Sequence, residues 1–135
     1  MRKPCLTLLP LLLAACSGAG VQPDAGPRLV TGDWGGAHVA LRLRADGGTI
    51  EYDCAHGTLD GPLLAGADGA FRVAGTHVRE HGGPARMGEV LPHEPAVYQG
   101  RVRGGQMTLD ASTATTALGR YTLRKDAPAQ LFKCL

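Results

Sequence analysis

The stretch Val39-Ala40-Leu41-Arg42-Leu43-Arg44-Ala45-Asp46-Gly47-Gly48-Thr49-Ile50-Glu51-Tyr52-Asp53-Cys54 decides the fold class. Val39, Leu41 and Leu43 share one phase, with His38, Arg42 and Arg44 in the other. After Asp46-Gly47-Gly48 the alternation resumes: Ile50, Tyr52 and Cys54 against Glu51 and Asp53. Successive side chains of a strand point to opposite faces, so each run is a strand with one apolar face. A Gly-rich break between two such runs makes them a hairpin.

The same pattern continues downstream. A third run covers about 58–64 and is interrupted by Pro62, which belongs at an edge or bulge because it has no N–H to donate. Ala67-Asp68-Gly69 turns into a fourth strand, with Phe71 and Val73 inward and Arg72 outward. After a long irregular stretch, 81–94, Tyr98 and Val102 mark a fifth strand over 96–103, and Gly104-Gly105 is a tight hairpin connection. Met107, Leu109 and Ala111 mark the sixth strand. Tyr121 and Leu123, alternating with Arg120, Thr122 and Arg124, mark the seventh, and 130–135, with Phe132 and Cys134 in phase, the eighth. Twenty glycines in 135 residues suit many turns and no long helix. Eight short strands predict an all-β domain over 32–135, a small antiparallel up-and-down barrel; a two-sheet β-sandwich is the alternative.

Upstream of this domain the chain has a different character. Arg2 and Lys3 precede the apolar run Leu6–Leu13, and Ala14-Ala15 supplies small residues before a cut, the layout of an export signal over 1–15. The apolar run is shorter than the ~20 residues a spanning helix needs. Leu13-Ala14-Ala15-Cys16 resembles the lipobox of bacterial lipoproteins. That resemblance implies cleavage before Cys16, a diacylglycerol on its thiol and a further acyl chain such as palmitate on the new amine. Several chains on one residue give durable anchoring where one alone binds marginally. Ser17 after the cysteine implies, by likeness to enterobacterial sorting, the outer membrane, with the domain facing the periplasm. Residues 16–31 carry the lipid and then a Gly- and Pro-rich flexible tether.

Processing changes the charge and the cysteine count. The precursor has 14 basic and 12 acidic side chains; losing Arg2 and Lys3 leaves 12 of each. A balanced chain without a basic block excludes a nucleic-acid role. Cys5 leaves with the signal and Cys16 is lipidated, so Cys54 and Cys134 remain for a disulfide in an oxidising envelope. Strands two and eight would lie ~10 Å apart across strand one, beyond bridging reach. The bond therefore requires strand one to begin below the cysteines, with Trp34-Gly35-Gly36 turning in beneath them.

In an up-and-down barrel the even strands all finish at one end. Short turns collect at the other, so the end with the long connections is the mouth, and long connections are often functional. Trp34, His56, His77, Arg79, Glu80 and His81 are the candidate binding residues there, beside Cys54 and Cys134, and the tether is expected to enter at the same end. Asp53-Cys54-Ala55-His56 with His77 or His81 offers metal-ligand types, but a disulfide consumes the thiol and no zinc spacing is present, so no metal or other cofactor is expected. Glu80-His81 and His93-Glu94 have acid–base residue types, yet neighbours on an extended chain point apart. The only serines are Ser17 and Ser112, and Gly82-Gly83-Pro84 lacks the strand-to-helix setting of a phosphate loop. No catalytic residue is assigned.

Three further resemblances bear on the domain. Gly32-Asp33-Trp34 resembles the Gly-x-Trp opening of lipocalin-type barrels, which implies a tryptophan closing one end with Arg120 or Arg124 stacked on it. The compact eight-stranded metalloprotease inhibitors of the bacterial periplasm are similar in size; they carry a disulfide of much shorter spacing, and their N-terminal segment enters the protease cleft. Asp33-Trp34-Gly35-Gly36, Asp53-Cys54-Ala55-His56-Gly57, Glu80-His81-Gly82-Gly83-Pro84 and Lys133-Cys134-Leu135 resemble phrases shared by a set of uncharacterised short bacterial envelope proteins. The expected function is a non-catalytic module whose mouth accepts a small ligand or a peptide of another envelope protein. The alternative is a protease inhibitor or protein-interaction domain acting through the tether and mouth loops.

Overall fold

The computed structural model describes residues 26–135; the expected signal peptide, Cys16 and the first part of the tether lie outside them. Ten strands follow in order: β1 (Arg28–Val30), β2 (Gly32–Gly36), β3 (Val39–Arg44), β4 (Gly47–Tyr52), β5 (Ala55–Leu59), β6 (Leu63–Ala65), β7 (Ala70–Arg79), β8 (His93–Arg103), β9 (Gln106–Thr113) and β10 (Ala117–Lys125). Eight of them close into an antiparallel barrel in the order β10-β2-β3-β4-β5-β7-β8-β9, and β1 pairs with β6 in a separate ribbon. The expected barrel is the architecture found, and the sandwich alternative falls.

The alternation read from the sequence is the reason the barrel closes. Leu41 pairs with Ile50 and Trp34, and Tyr98 pairs with Val73 and Ala111, so the apolar phase of every wall strand points to one axis. Leu41, Ile50, Tyr98, Met107, Leu109 and Leu123 are fully buried there. Tyr98 is the largest of these, and it fits because Gly57 and Gly75 face it. A Cβ on Gly75 would stand 2.8 Å from Tyr98 Cε2, and one on Gly57 would fall on the Tyr98 hydroxyl. That hydroxyl donates to the Thr76 carbonyl at 2.6 Å, so the one polar atom of the central ring is satisfied.

Two strands differ from the expectation. The eighth barrel strand is β2, not 130–135, and Trp34-Gly35-Gly36 is strand rather than turn. Gly35 is there because the C-terminal tail crosses the outside of β2. A Cβ on it would stand 2.7 Å from Ala129 N and Pro128 C. With β2 seated between β3 and β10, no ladder position is left for the tail, whose one strand-like contact is the isolated Ala37–Gln130 bridge. Phe132, expected inward, is 70% exposed. The run 58–64 also divides: β5 ends at Leu59, and Asp60-Gly61-Pro62 leads into β6.

β6 leaves and rejoins the wall at the short-turn end, and it carries β1 with it. Val30, Leu63 and Ala65 are buried in the same core as Trp34 and Val102. The last residues read as tether, Arg28–Val30, are thus strand, held by that apolar burial. The chain consequently enters at the closed end, not at the mouth. Among the described residues no helix is long and apolar enough to cross a membrane.

Candidate functional site

The mouth lies where β4, β7 and β9 finish and β5, β8 and β10 begin. A cavity of about 410 Å³ opens there, lined by Tyr52, Cys54, His77, Arg79, Glu80 and Tyr121, with Leu118 on one side. Of the six residues expected at the mouth, His77, Arg79 and Glu80 line this cavity. His56 belongs to the outward phase of β5 and reaches the site only by bonding Glu80, Nδ1 to Oε1, at 2.7 Å. His81 is turned away onto the 81–92 loop, where it meets Glu89 at 2.7 Å and the Gly82 carbonyl at 3.0 Å. Trp34 is at the opposite end, buried against the β1–β6 ribbon with its indole N–H on the Thr31 carbonyl at 3.3 Å. Arg120 is committed to Asp110 by two bonds, and Arg124 pairs in the ladder with Gly35, so the arginine-on-tryptophan arrangement is not formed by Arg120.

Two of the lining residues each bury a polar atom that lacks a well-formed hydrogen bond. Tyr52 is 6% exposed and His77 7% exposed; His77 Nδ1 has no hydrogen-bond partner, and the Tyr52 hydroxyl has none of good geometry, although the Tyr98 hydroxyl, whose own proton goes to the Thr76 carbonyl, stands close enough to interact with it. Most buried polar groups in folded proteins are paired, so two orphans in one wall need an explanation. Their rings sit edge to face with centroids 5.8 Å apart. Tyr121 covers Tyr52 from the open side with ring centroids 5.3 Å apart, itself held by a 3.3 Å bond from its hydroxyl to the Leu118 carbonyl. Burial raises the Tyr52 pKa well above the usual phenol range, and the nearby Tyr98 and Tyr121 hydroxyls and a side-chain approach to the Tyr98 hydroxyl add to this, so the group stays neutral. Burial also lowers the His77 pKa; Glu94, opposite it on β8, acts against this, while Arg79 and His56 add to it. Its imidazole is therefore neutral near pH 7.

The rim is built by the tail. Cys134 is bonded to Cys54 with Cα atoms 5.4 Å apart, so the expected disulfide is present, reached by a route other than the one expected. Instead of flanking strand β3, the tail passes beyond its start. Asp53 is the anchor: its carboxylate accepts the Phe132 N–H at 2.8 Å and the His38 ring at 2.6 Å, and its carbonyl accepts the Cys134 N–H at 3.3 Å. The Phe132 amide and then His38 hold the Asp53 pKa below the usual carboxylate range, outweighing its partial burial. Lys133 donates to the Tyr52 carbonyl at 3.0 Å and lies 3.7 Å from Glu80 and 3.8 Å from Glu51. Sequence reasoning placed Cys134 near this rim but read Tyr52 only as core, and it missed the part of Leu118. The available signal was position: Tyr52 and Tyr121 are polar-tipped aromatics on the inward phase at strand ends.

Each lining carboxylate is already engaged, and the disulfide removes the Cys54 thiol. Among the described residues no three His, Cys, Asp or Glu side chains converge as a metal would need. Glu80 and His81 bond different partners, so they do not act as an acid–base pair. Comparison with protein-family models, with curated proteins and with solved structures found no match to this chain.

Proposed function

We propose that this protein is a lipid-anchored module of the bacterial envelope that binds a small ligand in its barrel mouth without catalysing a reaction. The observation that carries this reading is the pair of buried atoms lacking a well-formed hydrogen bond, Tyr52 Oη and His77 Nδ1, in two residues that line one open cavity. An unpaired buried polar group costs about 1–3 kcal/mol. Two of them at one rim are explained by a partner that supplies the missing bonds. The cavity volume falls in the range of small-molecule sites, ~300–1,000 Å³.

The lipid reading rests on Leu13-Ala14-Ala15-Cys16. With the chain entering at the closed end, acyl chains on Cys16 draw that end toward the bilayer, and the mouth faces the periplasm. Protease inhibition through the tether and mouth loops together is the weaker reading, because chain entry and mouth are at opposite ends.

Native mass spectrometry of the protein purified from its own envelope tests both parts. The expected spectrum shows a chain beginning at Cys16 with acyl mass added, two hydrogens missing for the disulfide, and a non-covalent adduct lost on mild activation. A chain retaining residues 1–15 would overturn the anchoring, and a protein without adduct at any activation energy would overturn the ligand-carrying role.

A further inference from the structure

The charges at the mouth narrow the class of ligand. Glu80 is engaged by His56 and lies beside Lys133, and Asp53 is engaged by His38 and the Phe132 amide. Arg79 is different. It pairs with Ala55 across β5, which puts it on the inward phase, two residues beyond His77 on the same face of β7. Arg79 lines the cavity, and no hydrogen bond or ion pair engages its guanidinium among the described residues. Two residues along a strand is ~6.6 Å, a gap that a carboxylate bridges between a guanidinium above and hydroxyl and imidazole groups below.

We infer that the mouth takes a small monocarboxylate with an apolar body. One carboxylate oxygen accepts from Arg79, the other from the Tyr52 hydroxyl and the His77 Nδ1–H, and the body lies against Leu118 and Tyr121. All three protein groups act as donors: Arg79 has no acceptor, Tyr52 stays protonated, and neutral His77 places its one proton on Nδ1 when that atom meets an anion. A cationic ligand would meet Arg79 while the lining carboxylates are already engaged, and a neutral one would leave Arg79 unused. The two orphan atoms are sealed from water as the site stands, so the bound group displaces the Tyr121 ring from its packing on Tyr52 and from its bond to the Leu118 carbonyl. Glu94 is the one inward-phase carboxylate beside His77, and it opposes an anion.

This inference rests on the mouth being a ligand site, and the test separates the two. Calorimetric titration of the mature chain carrying Cys16→Ser compares hexanoate, hexanamide and hexylamine, which share a body and differ in the head. Hexanoate is expected to bind at least about tenfold tighter than hexanamide, the scale of a charge-assisted bond. Arg79→Gln is expected to bring hexanoate down to the amide's level, and Glu94→Gln to tighten it, with circular dichroism of both variants unchanged. Equal binding of hexanoate and hexanamide, or preference for the amine, would overturn the carboxylate while leaving the mouth as a site. No binding of any of the three would overturn the mouth reading as well.

Discussion

Removing the Cys54–Cys134 bridge is the perturbation whose magnitude follows most directly from the structure. The bond closes a loop with a sequence separation of 80. Confining an unfolded chain to a loop of that length is worth about 4.5 kcal/mol on the chain-entropy model. The folded state loses little else. The tail keeps its bonds from Phe132 and Lys133 to Asp53 and Tyr52, and all eight wall strands lie upstream of it. Cys54→Ser with Cys134→Ser should therefore fold to the same barrel and lose about 4 kcal/mol, near 20 °C in midpoint for a domain of roughly 110 residues. Urea denaturation of oxidised wild type and double variant measures this, and the variant's slope should be steeper because its unfolded chain is more expanded. A loss under about 1 kcal/mol with an unchanged slope would refute the reasoning.

Three other perturbations have defined outcomes. Gly57→Ala puts a Cβ on the Thr76 carbonyl and the Tyr98 hydroxyl, and 3.2 Å from Ile50 Cγ2, so urea denaturation should show a loss of about 1–3 kcal/mol. Because His77 is held below its ordinary pKa of 6.5 by burial, the unfolded chain takes up the proton first; stability should decline as pH falls below about 6.5, and His77→Phe should flatten that slope in pH-dependent melting curves. His81, raised by the Gly82 carbonyl and Glu89, has the opposite sign, but on an exposed loop its contribution is small. Trp34 is the sole tryptophan, 4% exposed at the closed end, so its emission should be blue-shifted and unmoved by hexanoate, whereas a quench on titration would put the ligand at the wrong pole.

The wall of the barrel was legible because its physics is local. Each of Val39–Leu43, Ile50–Tyr52, Phe71–Val73 and Met107–Ala111 carries its burial in the alternation of its own residues. β2 was not legible for a non-local reason. Gly35 reads as a turn residue in sequence, yet the close approach of Ala129 and Pro128, more than ninety positions away, is what excludes a side chain there. Losing β2 also misassigned the tail, because an eight-stranded count then needed 130–135 to close. Arg28–Val30 is too short to show a period, and its burial depends on Leu63 and Ala65.

The candidate site was legible in part. Strand parity alone brought His77, Arg79 and Glu80 to the mouth, where the structure has them. It failed for Trp34 because parity was counted from the wrong first strand, and for His56 because phase within β5 decides which side of the wall a residue faces. Tyr52 was legible as an inward, polar-tipped residue at a strand end, but not as one lacking a well-formed hydrogen bond. Whether a buried hydroxyl finds a partner depends on what stands opposite, as the contrast with Tyr98 and its Thr76 carbonyl makes plain.

The most direct test of a ligand seated on Tyr52 and His77 is a side-chain NMR titration with hexanoate, following the histidine ring nitrogens and tyrosine ring protons. The account predicts that His77 Nδ1 and the Tyr52 and Tyr121 rings shift together and saturate, with the Trp34 indole unmoved. A saturable shift that leaves His77 and Tyr52 where they were would contradict it.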